Sequence, residues 1–128
     1  KEEKKNIIIS NSSSEPIYEQ IKKAIKQAIY TNELKEEENL PSVRALANDL
    51  KISFLTVKKA YDELEAEGFI KTVQGKGSYV LPKNLELLRE EKLKELEKNI
   101  STVVKLSKIY GITEEEVINL IKIMFEED

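Results

Sequence analysis

The chain has 128 residues, 40% hydrophobic and 35% charged, with a formal net charge of −3, enough apolar material for one core but not for two full domains. It contains neither histidine nor cysteine, which excludes disulfides, thiolate metal sites, the commonest neutral metal ligand and the usual proton shuttle. No catalytic residue, metal or cofactor is therefore expected. No stretch approaches the roughly 20 apolar residues of a membrane helix, and the first residues lack an apolar signal core, so the expected location is cytoplasmic and off the membrane.

Residues 1–14 combine Lys and Glu, Ile7–Ile8–Ile9 and the polar run Ser10–Asn11–Ser12–Ser13–Ser14, the composition of a flexible arm. The three isoleucines also suit an edge strand. A helix is expected from Pro16 to near Asn32, capped by Ser14, because Ile17, Ile21, Ala24, Ile25 and Ala28 recur at helical spacing.

After an acidic loop at Lys35–Glu38, Ser42 caps a short second helix with the stripe Val43, Leu46, Ala47 and Leu50. Lys51–Ile52–Ser53 then breaks the chain before a third helix. Its cap is Ser53, its inner stripe is Val57, Ala60, Tyr61 and Leu64, and Gly68 ends it. Phe69–Val73 and Ser78–Leu81 read as two strands joined through Gln74–Gly75–Lys76–Gly77, a glycine-dependent hairpin that Pro82 terminates.

Asn84 to Tyr110 reads as one helix of on the order of 40 Å at 1.5 Å per residue. Leu93, Leu96, Ile100, Val103, Ser107 and Tyr110 alternate three and four apart along it, a coiled-coil-like seam that Gly111 closes. Thr113 to Glu116 forms a capping box for a last helix in which Val117, Ile118, Leu120, Ile121, Ile123, Met124 and Phe125 leave little polar face. Seven such side chains, each worth roughly 1.5–3 kcal/mol when fully buried, are costly to leave in water. Pairing of two chains is the expected cover, with Leu96, Ile100, Val103, Val117, Ile118, Ile121, Met124 and Phe125 at the interface; folding back on the same chain is the alternative.

Two short helices with matching stripes and a three-residue joint pack crosswise, so that the second presents its N-terminal face outward as in a helix-turn-helix. Here that face carries Ser53, Phe54, Thr56, Lys58 and Lys59, hydroxyls and cations of the kind that hold phosphates and reach base edges. The hairpin tip adds a donor, a cation and glycines that permit close backbone approach, as a wing in a minor groove requires. The expected architecture is mainly α with a small β-hairpin: an arm at 1–14, a winged helix-turn-helix at 15–82 and a helical dimerisation region at 83–128.

Charge alone speaks weakly for such a partner. Residues 16–82 carry ten basic and ten acidic side chains, while 83–128 carry eight and eleven, the whole of the net deficit. A basic face in the middle segment thus depends on placement.

The stretch LPSVRALANDLKISFLTVKKAYDELEAEGFIKTVQGKGSYV, residues 40–80, resembles the DNA-binding domain of GntR-type bacterial transcription regulators. Its markers are Leu40–Pro41–Ser42 with Arg44, Thr56–Val57 before a cation, Leu64–Glu65 with Glu67–Gly68, and the Gln74–Gly75–Lys76–Gly77 tip; the likeness extends back to Pro16–Ile17–Tyr18. The resemblance implies that Arg44, Ser53, Phe54, Thr56 and Lys58 meet double-stranded DNA, and that Gln74, Gly75 and Lys76 take the minor-groove role; Ser42 and Lys59, beside them, are expected at the same DNA surface. Phe54 and Lys58 stand where many relatives have arginine, which weakens bidentate reading of guanine. Phe54 either contacts thymine methyls or is covered by neighbouring side chains.

The tail of about 46 residues after Pro82 is too short for the ligand-binding domains most GntR-type regulators carry, and resembles the short YtrA-like branch. That likeness implies a homodimer and control of transporter genes, and the family as a whole implies repression; a two-fold dimer in turn predicts an inverted-repeat operator. A small-molecule effector lodged beside the tail fits the sequence, but no residue compels one. The competing reading is an adaptor that keeps the winged scaffold for protein binding without specific DNA recognition.

Overall fold

The computed structural model describes Ile7, residues 9–82 and residues 85–127. These form two compact units, Lys1–Asn84 and Leu85–Asp128. The first contains α1 (Ile17–Tyr30), α2 (Val43–Leu50), α3 (Phe54–Ala66), β1 (Ile70–Val73) and β2 (Gly77–Val80). Helix α3 packs against both α1 and α2, and β1 lies against α3. Ile21, Ile25, Val57, Leu64, Ile70 and Val80 are each under 2% exposed, so α1, α3 and both strands contribute to one core. At about 1.5–3 kcal/mol per buried side chain, this cluster is the main force fixing α3 in place.

The caps explain where each helix starts and stops. Ser42 Oγ accepts from Ala45 N–H (3.0 Å), and Ser53 Oγ accepts from Thr56 N–H (3.0 Å). Helix α3 ends in a Schellman arrangement: Gly68 has φ of 85°, Phe69 N–H donates to Leu64 O (3.0 Å) and Gly68 N–H to Glu65 O (3.0 Å). Helix α2 closes similarly through Lys51, held at φ 58° and ψ 47°, with Ile52 N–H donating to Ala47 O (3.1 Å). A lysine there carries about 1 kcal/mol of backbone strain that a glycine avoids.

Ser14 does not cap α1. Pro16 occupies the capping position, two residues nearer the helix, and no side chain caps the first turn. Gln20 instead folds back and donates to Glu15 O (2.9 Å) and Ser10 O (3.1 Å), anchoring the preceding polar run. Ile7 and Ile9 lie outside any strand, and Ile8 falls outside the described residues.

The hairpin is antiparallel with Ile70 opposite Val80 and Val73 opposite Gly77. Its turn closes with Lys76 N–H donating to Val73 O (2.9 Å) while Gly75 takes φ of 85°, as the third residue of a type II turn must. The acidic loop supplies a third, partial strand. Leu40 N–H donates to Ser78 O (2.9 Å), Val80 N–H to Glu38 O (3.0 Å) and Glu37 N–H to Val80 O (2.8 Å), around a bridge between Asn39 and Tyr79. These bonds occupy the outer edge of β2, which otherwise would present unpaired backbone groups.

Two polar ties reinforce the packing of α3. Tyr61 Oη donates to Pro41 O (2.7 Å), and burial pushes its phenol well above the ordinary tyrosine value. On the other side, buried Lys22 donates to Glu63 Oε1 (2.8 Å) and Glu67 Oε2 (2.7 Å), and Lys26 reaches Glu67 Oε1 (2.8 Å). Burial alone pushes the Lys22 ammonium down, but its hydrogen bonds to Glu63 and Glu67 and the charges of Glu67 and Glu19 outweigh this and hold it above the usual lysine range. Burial pushes the Glu67 carboxyl up, while hydrogen bonds from Lys22 and Lys26 and the two charges outweigh it and hold the carboxyl below its ordinary value.

These shifts have opposite pH consequences. A depressed Glu67 stabilises the fold above its unfolded value of about 4.3 and loses that contribution as pH falls through the lower folded value. A raised Lys22 contributes fully below about 10.4 and loses it only above that. Urea unfolding followed between about pH 3 and 7 is expected to show stability falling on the acid side, with a shallower decline in Glu67→Gln. An acid limb as steep in Glu67→Gln as in the parent would contradict the assignment.

The second unit contains α4 (Leu85–Tyr110) and α5 (Glu114–Glu126). Asn84, the expected first residue of the long helix, lies outside the described residues. Gly111 at φ of 69° lets Ile112 N–H reach Ser107 O (2.9 Å), ending α4. Thr113 then starts α5 with the expected reciprocal box: Glu116 N–H donates to Thr113 Oγ1 (3.1 Å) and Thr113 N–H to Glu116 Oε1 (2.9 Å). No residue of α5 is buried. Among the described residues no helix is long and apolar enough to cross a membrane.

Candidate nucleic-acid interface

Burial of Val57, Ala60, Tyr61 and Leu64 directs the remaining side chains of α3 outward. Phe54, Lys58 and Lys59 are accordingly exposed and Thr56 half-buried, all in the first two turns, together with the cap residue Ser53. Backbone N–H groups at that end of α3 add a positive dipole to the surface. Ser53 Oγ, besides accepting from Thr56 N–H, donates to Thr56 Oγ1 (2.9 Å), so the Thr56 hydroxyl keeps its own proton for an acceptor outside.

The cations of this surface are held in different ways. Lys58 Nζ pairs with Asp62 Oδ2 at 2.8 Å, both side chains more than half exposed, so the pair is worth about 0.3–0.5 kcal/mol and yields readily to another anion. Arg44, in the first turn of α2, lays its guanidinium over the Phe54 ring at 5.2 Å. Lys59 Nζ sits 4.3 Å from the Tyr18 ring centre and Lys76 Nζ 4.8 Å from that of Tyr79. Phe54 is thus neither free nor buried: it is 40% exposed with Arg44 across its face.

At the wing, Gln74, Gly75 and Lys76 are all exposed. A Cβ added at Gly75 would meet nothing within 4 Å, leaving its backbone open to close approach, and only the positive φ demands glycine there. Asn39, to which sequence reasoning gives no role, anchors the tip by donating from Nδ2 to Lys76 O (3.0 Å). Ser42 lies exposed at the start of α2 with its oxygen already accepting from Ala45 N–H.

Leu55 was also missed. It is 71% exposed in the first turn of α3, next to Phe54, an apolar side chain pointing away from the helix's own core. The available signal was its position off the stripe of Val57, Ala60, Tyr61 and Leu64. Of the expected interface residues in the second unit, Leu96, Ile100, Val103, Ile118, Ile121, Met124 and Phe125 are exposed and Val117 is half-buried.

Residues 17–80, from the start of α1 to the end of β2, match the family described as bacterial regulatory proteins, gntR family. The chain belongs to the GntR family. Its similarity to members extends beyond the winged unit. It is 35% identical to the HTH-type transcriptional repressor YtrA of Bacillus subtilis, over 91% of this chain and 89% of that protein. A GntR family transcriptional regulator from Listeria monocytogenes superposes with a TM-score of 0.71 at 34% identity, covering 87% of this chain and 96% of the other. The DNA-binding domain of AraR, solved in complex with operator ORX1, gives a TM-score of 0.53 at 26% identity over 59% of this chain and 94% of that one.

GntR-family membership makes the chain a DNA-binding transcription regulator rather than an enzyme, with the winged helix-turn-helix as its DNA-binding unit. The two C-terminal helices complete the architecture expected from the sequence.

Proposed function

We propose that this GntR-family regulator represses transcription in the cytoplasm by binding an inverted-repeat operator as a homodimer. The supporting observation is the exposed first two turns of α3, where Ser53, Phe54, Thr56, Lys58 and Lys59 stand beside Arg44 and share a unit with the glycine-tipped wing. In this reading α3 enters the major groove, Thr56 and Lys58 meet base edges, and Gln74, Gly75 and Lys76 follow the adjacent minor groove. Ser42, Arg44 and Lys59 hold the sugar-phosphate backbone and set register.

Dimerisation rests on the second unit. Helix α5 offers Ile118, Leu120, Ile121, Ile123, Met124 and Phe125 to solvent, the last at 86% exposure, and the α4 seam adds Leu96, Ile100 and Val103. Apolar area of this extent is stabilised by a second copy, and a two-fold pair presents two α3 helices to successive grooves. Similarity to the YtrA repressor, 89% of which aligns with this chain, supports repression, and the resemblance of the tail to the short YtrA-like branch suggests transporter genes as targets.

Selection of bound duplexes from a random pool tests the reading. Enrichment of two inverted half-sites, one helical turn or a multiple apart at roughly 34 Å per turn, with two chains per duplex by sedimentation, is the expected result. Enrichment of a single half-site by one chain, or of no sequence over random DNA, would overturn it.

A further inference from the structure

Three of the cations assigned to the DNA surface share a feature that the sequence does not announce. Arg44, Lys59 and Lys76 come from α2, α3 and the wing turn, and each lies over the face of an aromatic ring, from Phe54, Tyr18 and Tyr79 respectively. Among the described residues none of the three forms an ion pair. Lys26 offers a contrast away from this surface: it too lies over a ring, that of Phe69 at 5.1 Å, but it is also tied to Glu67.

We infer that Phe54, Tyr18 and Tyr79 are positioning residues that hold Arg44, Lys59 and Lys76 ready for phosphate by cation–π contact, without neutralising them. The physical reason lies in the charge balance. Residues 16–82 carry equal numbers of basic and acidic side chains, so electrostatic attraction must come from few, well-placed cations. A carboxylate would hold a cation in place but cancel its field and repel the incoming phosphate. A ring fixes the long side chain, reduces the rotamer freedom lost on binding and leaves the full positive charge facing out.

The Phe54 and Arg44 pair shows the device most fully. Phe54 opens α3 and Arg44 lies in the first turn of α2, so their contact also ties together the two helix N-termini facing the duplex. Substituting arginine at position 54 would place two guanidinium groups side by side; phenylalanine gives up one DNA contact and steadies another. This inference rests on the DNA-surface assignment above but not on the operator's symmetry.

The test is a double-mutant cycle on the full chain, with affinity measured on both the selected operator and a random duplex. Phe54→Leu is expected to weaken binding by roughly 3- to 10-fold in the parent, and to have no further effect once Arg44→Ala is present. Phe54→Tyr, which keeps the ring, is expected to retain most of the affinity. Tyr18→Leu with Lys59→Ala should show the same coupling, and Tyr18→Phe the same rescue. In the DNA-free protein, ring-current shifts of the Arg44 side-chain protons should be present in the parent and in Phe54→Tyr, and lost in Phe54→Leu.

Equal losses from Phe54→Leu with and without Arg44 would mean that the ring meets DNA by itself, and would overturn the inference. Absence of the ring-current shift in the free parent would overturn it as well. Coupling on random duplex with no preference for any operator would instead defeat the operator reading and leave the positioning role standing.

Discussion

Replacing Ile118 and Ile121 together by aspartate is expected to convert the proposed dimer into monomers and to lower affinity for the full operator by about 100-fold or more. Both side chains are exposed on α5 within the single chain, so the change creates no cavity in the chain's own core. The Thr113–Glu116 box keeps the helix start intact, and the propensity loss is only on the order of 0.5 kcal/mol per aspartate. What changes is the apolar face: two buried carboxylates in a dimer interface, each duplicated by symmetry, cost several kcal/mol. A monomer then binds each half-site separately and forfeits the effective concentration that linkage provides.

The same variant should bind an isolated half-site as the parent does and melt at nearly the same temperature for its winged unit. Sedimentation checks the monomeric state, anisotropy on full and half operators the affinities, and thermal unfolding the winged unit. A variant that stays dimeric, or that binds the full operator undiminished, would exclude α5 as the pairing surface.

Much of this fold was legible because its decisive signals are local. Ser42, Ser53 and Thr113 mark helix starts within four residues of sequence, and Gly68 and Gly111 mark ends through positive φ. Val57, Ala60, Tyr61 and Leu64 predicted the buried side of α3, and hence the outward side of Thr56, Lys58 and Lys59. The cap of α1 misled because Ser14 is a good capping residue two positions too early, and Pro16 already supplies the φ a helix start needs.

Long-range pairing left no such trace. Residues 37–40 join β2 through backbone bonds, which an acidic run without alternating hydrophobicity does not signal, and Asn39 meets the wing 37 positions away. Lys22 gave no sign of burial because its partners, Glu63 and Glu67, lie more than forty residues downstream. The ring beneath each of Arg44, Lys59 and Lys76 belongs to the same class: Tyr18 and Lys59 meet only because α1 packs on α3. Sequence therefore indicated which side of α3 is exposed better than it indicated what holds the side chains there.

That difference shapes the second large effect. Thr56→Ala and Lys58→Ala are each expected to cost about 1–3 kcal/mol on the operator and to alter which base is preferred, while losing much less on random DNA. Thr56 stands in the first turn of α3 with its hydroxyl oriented by Ser53, and its removal leaves the Ser53 cap on the backbone intact, so stability should barely move. In the proposed reading Lys58 exchanges its exposed pair with Asp62 for a DNA contact, which would make its net contribution smaller than that of an unpaired lysine but keep it dependent on the base presented.

Lys76→Ala should behave differently. Held over Tyr79 at the tip of the wing, Lys76 is proposed to meet charge rather than base pattern, so its loss is expected to weaken operator and random DNA alike and to reduce the salt slope by about 1. Titrations of all three variants at several salt concentrations separate the two roles. Equal losses on specific and random duplex for Thr56→Ala, Lys58→Ala and Lys76→Ala would show that α3 reads no sequence and that the whole surface acts as a phosphate clamp.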